Sequence, residues 1–345
     1  MTTEIEQKNA PPNILLLAFT IIAYSTISIA IVYYNHGFFT TGFRYPVFIS
    51  WWQQIFGTVG FLILANLARV IPSLKKPFPV TSLNLKTCIK LIPLALTFVL
   101  FIAASNTCLQ YTLITTYLVA RSCTLLFVLI LSYLMLKKKE SLLTIVSCLI
   151  MVAGFAVNSL DPSTLSFIGL VCGCISSFFQ ALYNVIIKKF LGYVNNDSQV
   201  LLLYNMALSS VLFIPVVLLC EGVTPFKLAV SQDQNLYAIW TGIAISGLLS
   251  TSMNMFQYLL IRLTNPLASN IIGLMKSLLQ TIGGFVIYRD PMTPNSIAGI
   301  TLSLLGSGIY CFCKNRDYFA DRKKRQLEEP TIPAYEKPRS IEQKV

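Results

Sequence analysis

Two stretches, "NTCLQYTLI" (residues 106–114) and "NMFQYLLI" (residues 254–261), each close a long apolar run with an Asn, then Gln-Tyr, then an aliphatic pair ending in Ile. A helix needs about 20 mostly apolar residues to cross a bilayer. Counted in runs of that length, the first stretch ends the third run and the second ends the eighth. The register continues downstream. "KKKE" (137–140) closes the fourth run and "YRD" (288–290) the ninth, while Gly154 and Gly306 fall late in the fifth and tenth. A unit with an odd number of spans places its second copy upside down in the membrane. The matches therefore predict an all-α, polytopic membrane protein of ten transmembrane helices in a 5+5 inverted repeat.

Composition agrees. The 345 residues are 55% hydrophobic and only 12% charged, too apolar for a water-soluble domain. The expected spans are 14–35, 46–68, 89–111, 114–136, 141–159, 164–187, 199–220, 237–257, 266–288 and 294–313. The first is too long for the apolar region of a cleaved signal and is expected to be retained. The chain then divides into a cytosolic leader, 1–13, a first five-helix repeat, 14–159, a second, 160–313, and a charged cytosolic tail, 314–345, expected to be disordered.

The net charge of +12 is explained by topology rather than by nucleic acid. With the N-terminus in the cytosol, Arg69, Lys75, Lys76, Lys86, Lys90, Lys137, Lys138, Lys139, Lys188, Lys189 and Arg262 lie at cytosolic loops, against Arg44, Lys227 and Arg289 opposite. Positive residues gather on the cytosolic side of membrane proteins, so both termini are expected there. The nine cysteines lie almost wholly within spans and read as packing residues. His36 is the only histidine, and no metal cluster, cofactor motif or nucleophile-base arrangement can be assembled in the membrane. An enzyme is not expected.

Two cations interrupt the apolar runs. Arg121 lies in "YLVARSCTLL" (117–126) and Lys276 in "IIGLMKSLLQT" (271–281), on spans that correspond under the repeat, each followed by a serine. A charge at mid-membrane costs about 2.5 to 3.5 kcal/mol on the most lenient scale. All fourteen acidic residues fall in loops, span ends or tails. Buried cations whose spans hold no acid point to an anionic ligand, and phosphate or diphosphate suits an Arg fork and a Lys point charge. The blander readings are that Arg121 snorkels to an interface or that both rest on helix C-terminal carbonyls. Gly273, Lys276 and Gln280 share one helical face. Tyr204 and Asn205 on span seven and Asn254 and Gln257 on span eight supply groups that stack against or hydrogen-bond a base or sugar; interhelical hydrogen bonding competes as their role. Span two carries Trp51, Trp52, Gln53 and Gln54, its Trp pair reading as an interfacial aromatic belt.

The stretches "NTCLQYTLITTYLVARSCTLLFVLILSYLMLKKKES", "LLYNMALSSVLFIPVVLLCEG" and "NPLASNIIGLMKSLLQT" resemble the nucleotide-sugar transporters of the drug/metabolite transporter superfamily, most nearly the GDP-fucose transporters. The resemblance covers roughly residues 14–313. It implies Golgi or endoplasmic reticulum membranes and exchange of a cytosolic nucleotide sugar for a lumenal nucleoside monophosphate. In related guanine-nucleotide carriers a Phe-Tyr-Asn-Asn motif is associated with the base and a Gly-Ala-Leu-Asn-Lys motif with the sugar and phosphate. Tyr204, Asn205, Gly273 and Lys276 match these by position, whereas Met206 replaces an amide.

The expected function is thus a Golgi antiporter importing GDP-fucose in exchange for GMP by alternating access. Its substrate-binding residues are Lys276, Arg121, Tyr204, Asn205, Gly273, Gln280 and Asn254. The partners expected are a nucleotide sugar, a nucleoside monophosphate and membrane lipid, without nucleic acid, metal or cofactor; a homodimer is compatible with the sequence. The alternatives are a carrier of the same fold for GDP-mannose, a UDP-sugar or a sugar phosphate, and a non-transporting membrane scaffold or receptor.

Overall fold

The computed structural model describes residues 14–40, 45–71, 78–79, 83–111, 114–137, 140–158, 167–228, 236–264, 266, 268–273, 275–276, 279 and 293–328. Nine long helices run through them: α1 (Ile14–Thr40), α2 (Pro46–Leu67), α3 (Leu85–Tyr111), α4 (Ile114–Leu136), α5 (Leu142–Asn158), α6 (Phe167–Phe190), α7 (Ser198–Cys220), α8 (Leu236–Leu263) and α9 (Pro294–Glu328). Short helical turns at Leu191–Val194 and Thr224–Leu228 flank α7. The backbone is also helical at the described residues between 266 and 279. The expected leader and residues 280–288 of span nine lie outside the described residues.

Among the described residues there is no strand, and five helical stretches are long and apolar enough to cross a membrane: Ile14–Asn35, Pro46–Leu67, Leu85–Asn106, Val171–Val194 and Ser198–Cys220. Large apolar side chains such as Ile63, Leu134, Leu218 and Phe312 stand outward, while Thr20, Ser28, Asn205 and Lys276 are buried inside. That reverses the usual arrangement of a water-soluble protein and suits a hydrocarbon surround.

Of the charged tail 314–345, expected to be disordered, the part up to Glu328 continues α9, and 329–345 lies outside the described residues. Lys, Arg, Gln, Glu, Leu and Ala dominate the helical part, and these residues lose little rotamer freedom in a helix. Trp51 and Trp52, expected to form an interfacial belt, are instead half-buried. Trp51 Nε1 donates to the Ser210 carbonyl at 2.7 Å, and Trp52 meets Trp240 edge-on at 4.9 Å. The Trp51 indole finds a backbone acceptor, and both rings find aromatic edges, in place of the headgroup region.

The packing pattern is reciprocal. α3 packs on α6 as α8 packs on α1, and α2 packs on α8 as α7 packs on α3, with α2 and α7 against each other. The most extensive pairing is α5 with α9, and its close approach has two matching halves. A Cβ on Gly154 would lie 2.5 Å from Ser303 Oγ and 2.8 Å from the Gly299 carbonyl. A Cβ on Gly306 would lie 2.7 Å from Met151 Cγ and 3.0 Å from the Ser147 carbonyl. Moving every residue of the first contact by the 152 positions that separate Gly154 from Gly306 gives the second, since 299 pairs with 147 and 303 with 151. Contacts that exchange in this way are the signature of a two-fold relation.

Charged side chains tie helix ends together. The N-cap position of α2, Tyr45, makes no side-chain cap. Glu221, in the turn after α7, serves instead, accepting from the Val47 and Phe48 amides at 2.8 Å each. α7 is capped locally by Asp197. At the other end, Lys188 of α6 donates to the carbonyls of Ile261, Arg262 and Thr264 at 2.8–3.0 Å, closing the C-terminus of α8.

Candidate functional site

Lys276 is 5% exposed. Its Nζ donates to Ser28 Oγ at 2.6 Å and sits 5.2 Å from the centre of the Tyr24 ring. Ser28 and Tyr24 are four residues apart and so share one face of α1, the face that also buries Thr20 and Ile31. Gly273, one turn before Lys276, faces the same tyrosine: a Cβ there would meet Tyr24 Oη at 3.9 Å. The structure therefore brings Gly273 and Lys276 onto one stripe, as their spacing implies, and sets that stripe against α1. The ring face and the hydroxyl are both good neighbours for an ammonium in a poorly hydrated place.

Three residues earlier on the stripe is Asn270, which opens a chain of amides. Asn184 of α6 donates to Asn270 Oδ1 at 3.0 Å and accepts from Gln257 of α8 at 3.3 Å, while Asn270 donates to the Pro266 carbonyl at 2.7 Å. Beside it, Tyr183 of α6 donates to Tyr258 of α8 at 2.8 Å, and Asn205 of α7 donates to the Tyr183 hydroxyl at 3.2 Å. Asn254 is buried one turn before Tyr258 on α8. The stripe Asn270–Gly273–Lys276 thus links the ammonium to a buried polar seam between α6 and α8.

Neighbouring residues on α7 take different directions. Tyr204 is buried, and its hydroxyl accepts from the Asn84 amide at 2.9 Å, at the start of α3. Met206 turns to α2 and α8: its sulfur would lie 2.8 Å from a Cβ on Gly57, beside Thr251. Asn205 alone of the three enters the seam. Arg121 lies in the second turn of α4, but its side chain is outside the described residues, as is Gln280. Among the described residues no group of three His, Cys, Asp or Glu side chains is placed to hold a metal.

Sequence reasoning missed Tyr24, Ser28, Tyr183, Tyr258, Asn184 and Asn270. The four-residue spacing of Thr20, Tyr24 and Ser28 along the first span was the available signal for the first pair, because polar groups in a membrane helix are tolerable when turned inward together. Asn270, at the same three-residue step before Gly273, was the signal for the seam.

Residues 15–311 match the model of the Triose-phosphate Transporter family. The chain belongs to that family. Family membership makes it a membrane transporter and not an enzyme. Similar proteins include "GDP-fucose transporter 1" of Dictyostelium discoideum, 31% identical over 85% of this chain and 79% of its own. "GDP-fucose transporter 1" of Monosiga brevicollis is 30% identical over 89% and 93%. "GDP-fucose transporter, Golgi" of Drosophila melanogaster is 28% identical over 94% and 98%. A solved crystal structure superposes with a TM-score of 0.58 over 87% of this chain and 97% of its own, at 14% identity, a likeness of fold alone.

Proposed function

We propose that this family member is a Golgi antiporter that carries GDP-fucose into the lumen in exchange for GMP. It is read as ten spans in a 5+5 inverted repeat, with both termini cytosolic. The reciprocal contacts of Gly154 and Gly306 support the repeat, and the names of the relatives support the substrate and the Golgi membrane. The observation that carries the reading is Lys276, an ammonium buried to 5% exposure and presented on the same stripe as the polar seam. A phosphate oxygen arriving at Ser28 gives that ammonium an anionic acceptor where it now has a neutral hydroxyl, which adds the attraction of opposite charges in a poorly hydrated place.

In this reading Lys276 and Arg121 take the diphosphate, Gly273 leaves room beside Tyr24 for the sugar end, and Asn205 reaches the base from the seam. Tyr204, Asn254 and Gln280 shape the surrounding site. The carrier reorients by rocking its two halves about the occupied site. The test is counterflow in proteoliposomes. Vesicles loaded with GMP take up labelled GDP-fucose, and among nucleoside monophosphates outside, GMP is the strongest competitor. Uptake of a UDP-sugar in preference, or equal competition by all monophosphates, refutes the assignment.

A further inference from the structure

We infer that Gln54 of α2 and Ser209 of α7, together with Asn205 where α7 meets α6, supply the acceptors that read the donor edge of the nucleotide's base. The inference rests on the reading of the chain as a guanine-nucleotide carrier and adds residues to that site.

Among the described residues, nine buried side-chain polar atoms have no hydrogen-bond partner, and Gln54 Oε1, Asn205 Oδ1 and Ser209 Oγ are the ones that α2 and the middle of α7 contribute as acceptors. Their residues are 2%, 1% and 0% exposed, respectively. Asn205 spends its amide nitrogen on Tyr183, which leaves its oxygen open. Two contacts fix the register of α2 against α7. Trp51 Nε1 reaches the Ser210 carbonyl at 2.7 Å, and Gly57 approaches Met206 so closely that a Cβ would lie 2.8 Å from its sulfur. Gln54 stands midway between Trp51 and Gly57, three residues from each, so it lies on the same side of α2 and level with the Met206–Ser210 stretch that contains Ser209. Asn205 follows on the Ser209 face, one turn away.

Buried acceptors without donors destabilise a fold, and an apolar side chain of the same shape would not. Three of them at neighbouring levels of α2 and α7, in a membrane interior where water does not compensate, call for donors that arrive with a ligand. Guanine alone among the common bases presents two adjacent donor groups, the ring N1–H and the 2-amino group, on one edge; adenine and uracil interrupt theirs with acceptors. Amide carbonyls and a hydroxyl oxygen complement that edge.

The experiment compares GMP with inosine monophosphate, which lacks the 2-amino donor, as competitors of GDP-fucose exchange by the reconstituted full chain. The wild-type protein favours GMP. Gln54→Met, of similar shape, weakens GMP competition about tenfold and leaves inosine monophosphate nearly unchanged. It also leaves the melting temperature of the ligand-free protein unchanged or raised, because an orphaned acceptor has been removed. Ser209→Ala shifts the preference in the same direction and serves if Gln54→Met fails to fold. A wild-type preference that survives both substitutions overturns the acceptor assignment alone. Equal loss of both nucleotides together with a lower ligand-free melting temperature overturns it too. Wild-type exchange indifferent to GMP overturns the guanine-carrier reading, and the acceptor assignment with it.

Discussion

Glu221 and Lys276 show how much of this molecule is decided by single side chains that act on distant helices. Glu221 holds the first amides of α2 from the end of α7. Replacing it by Ala leaves both amides without their acceptor and lowers stability by about 1 to 2 kcal/mol, measurable by thermal unfolding in detergent. Burial pushes the Glu221 carboxyl above its usual range, with the Val47 and Phe48 amides opposing. A raised folded-state value means that the folded protein keeps this proton longer than the unfolded chain does. The group's contribution is therefore complete below the ordinary carboxylate range and declines as pH rises through its raised value. Melting temperature followed across that interval falls in the wild-type protein, and Glu221→Gln removes this part of the fall. Neither partnership was readable in the sequence. Glu221 looked like a loop acid, and Ser28, the hydroxyl that Lys276 meets, lies 248 positions away. Composition reveals that a buried cation needs polar company, but only the packing of α1 reveals which.

At the scale of elements, the spans were legible because a bilayer imposes length and hydropathy together. α2, α4, α5 and α7 begin and end within a residue or so of expectation. α8 was expected to stop at 257 and runs to Leu263, since its last carbonyls are taken up by Lys188 of another helix, a cap that local sequence does not display. Met206, Tyr204 and Asn205 are consecutive on α7 yet face α2, α3 and α6, a divergence set by helical geometry and by which neighbours stand where. The α5–α9 contact supplies the sharpest prediction here. Gly154→Val and Gly306→Val each force backbones apart, because the added atoms meet main chain on the facing helix. Each is expected to cost about 1 to 3 kcal/mol, and the two costs are expected to be similar because the contacts exchange. Thermal unfolding of the two variants checks it: a severe effect from one and none from the other contradicts the two-fold relation.

For the whole molecule, the reciprocal packing places α3, α4 and α6 in one group and α1 and α8 in another, the 266–279 stretch joining the latter through Lys276 and Ser28. The groups meet where Tyr183 binds Tyr258, where Asn184 joins Gln257 and Asn270, and where Lys188 closes the end of α8. In the proposed alternating-access cycle that seam parts and re-forms around a ligand that both groups hold. The ammonium of Lys276 stands at one side of the seam and Asn205 enters it from α7, and in the proposed function a ligand with a charged middle and a polar base engages both there. The most direct measurement is exchange of GDP-fucose for GMP by purified protein in proteoliposomes, wild type against Lys276→Met. The account predicts uptake that depends on internal GMP in the wild type, and loss of that uptake in a Lys276→Met protein that still folds and reconstitutes. Undiminished exchange by Lys276→Met contradicts it.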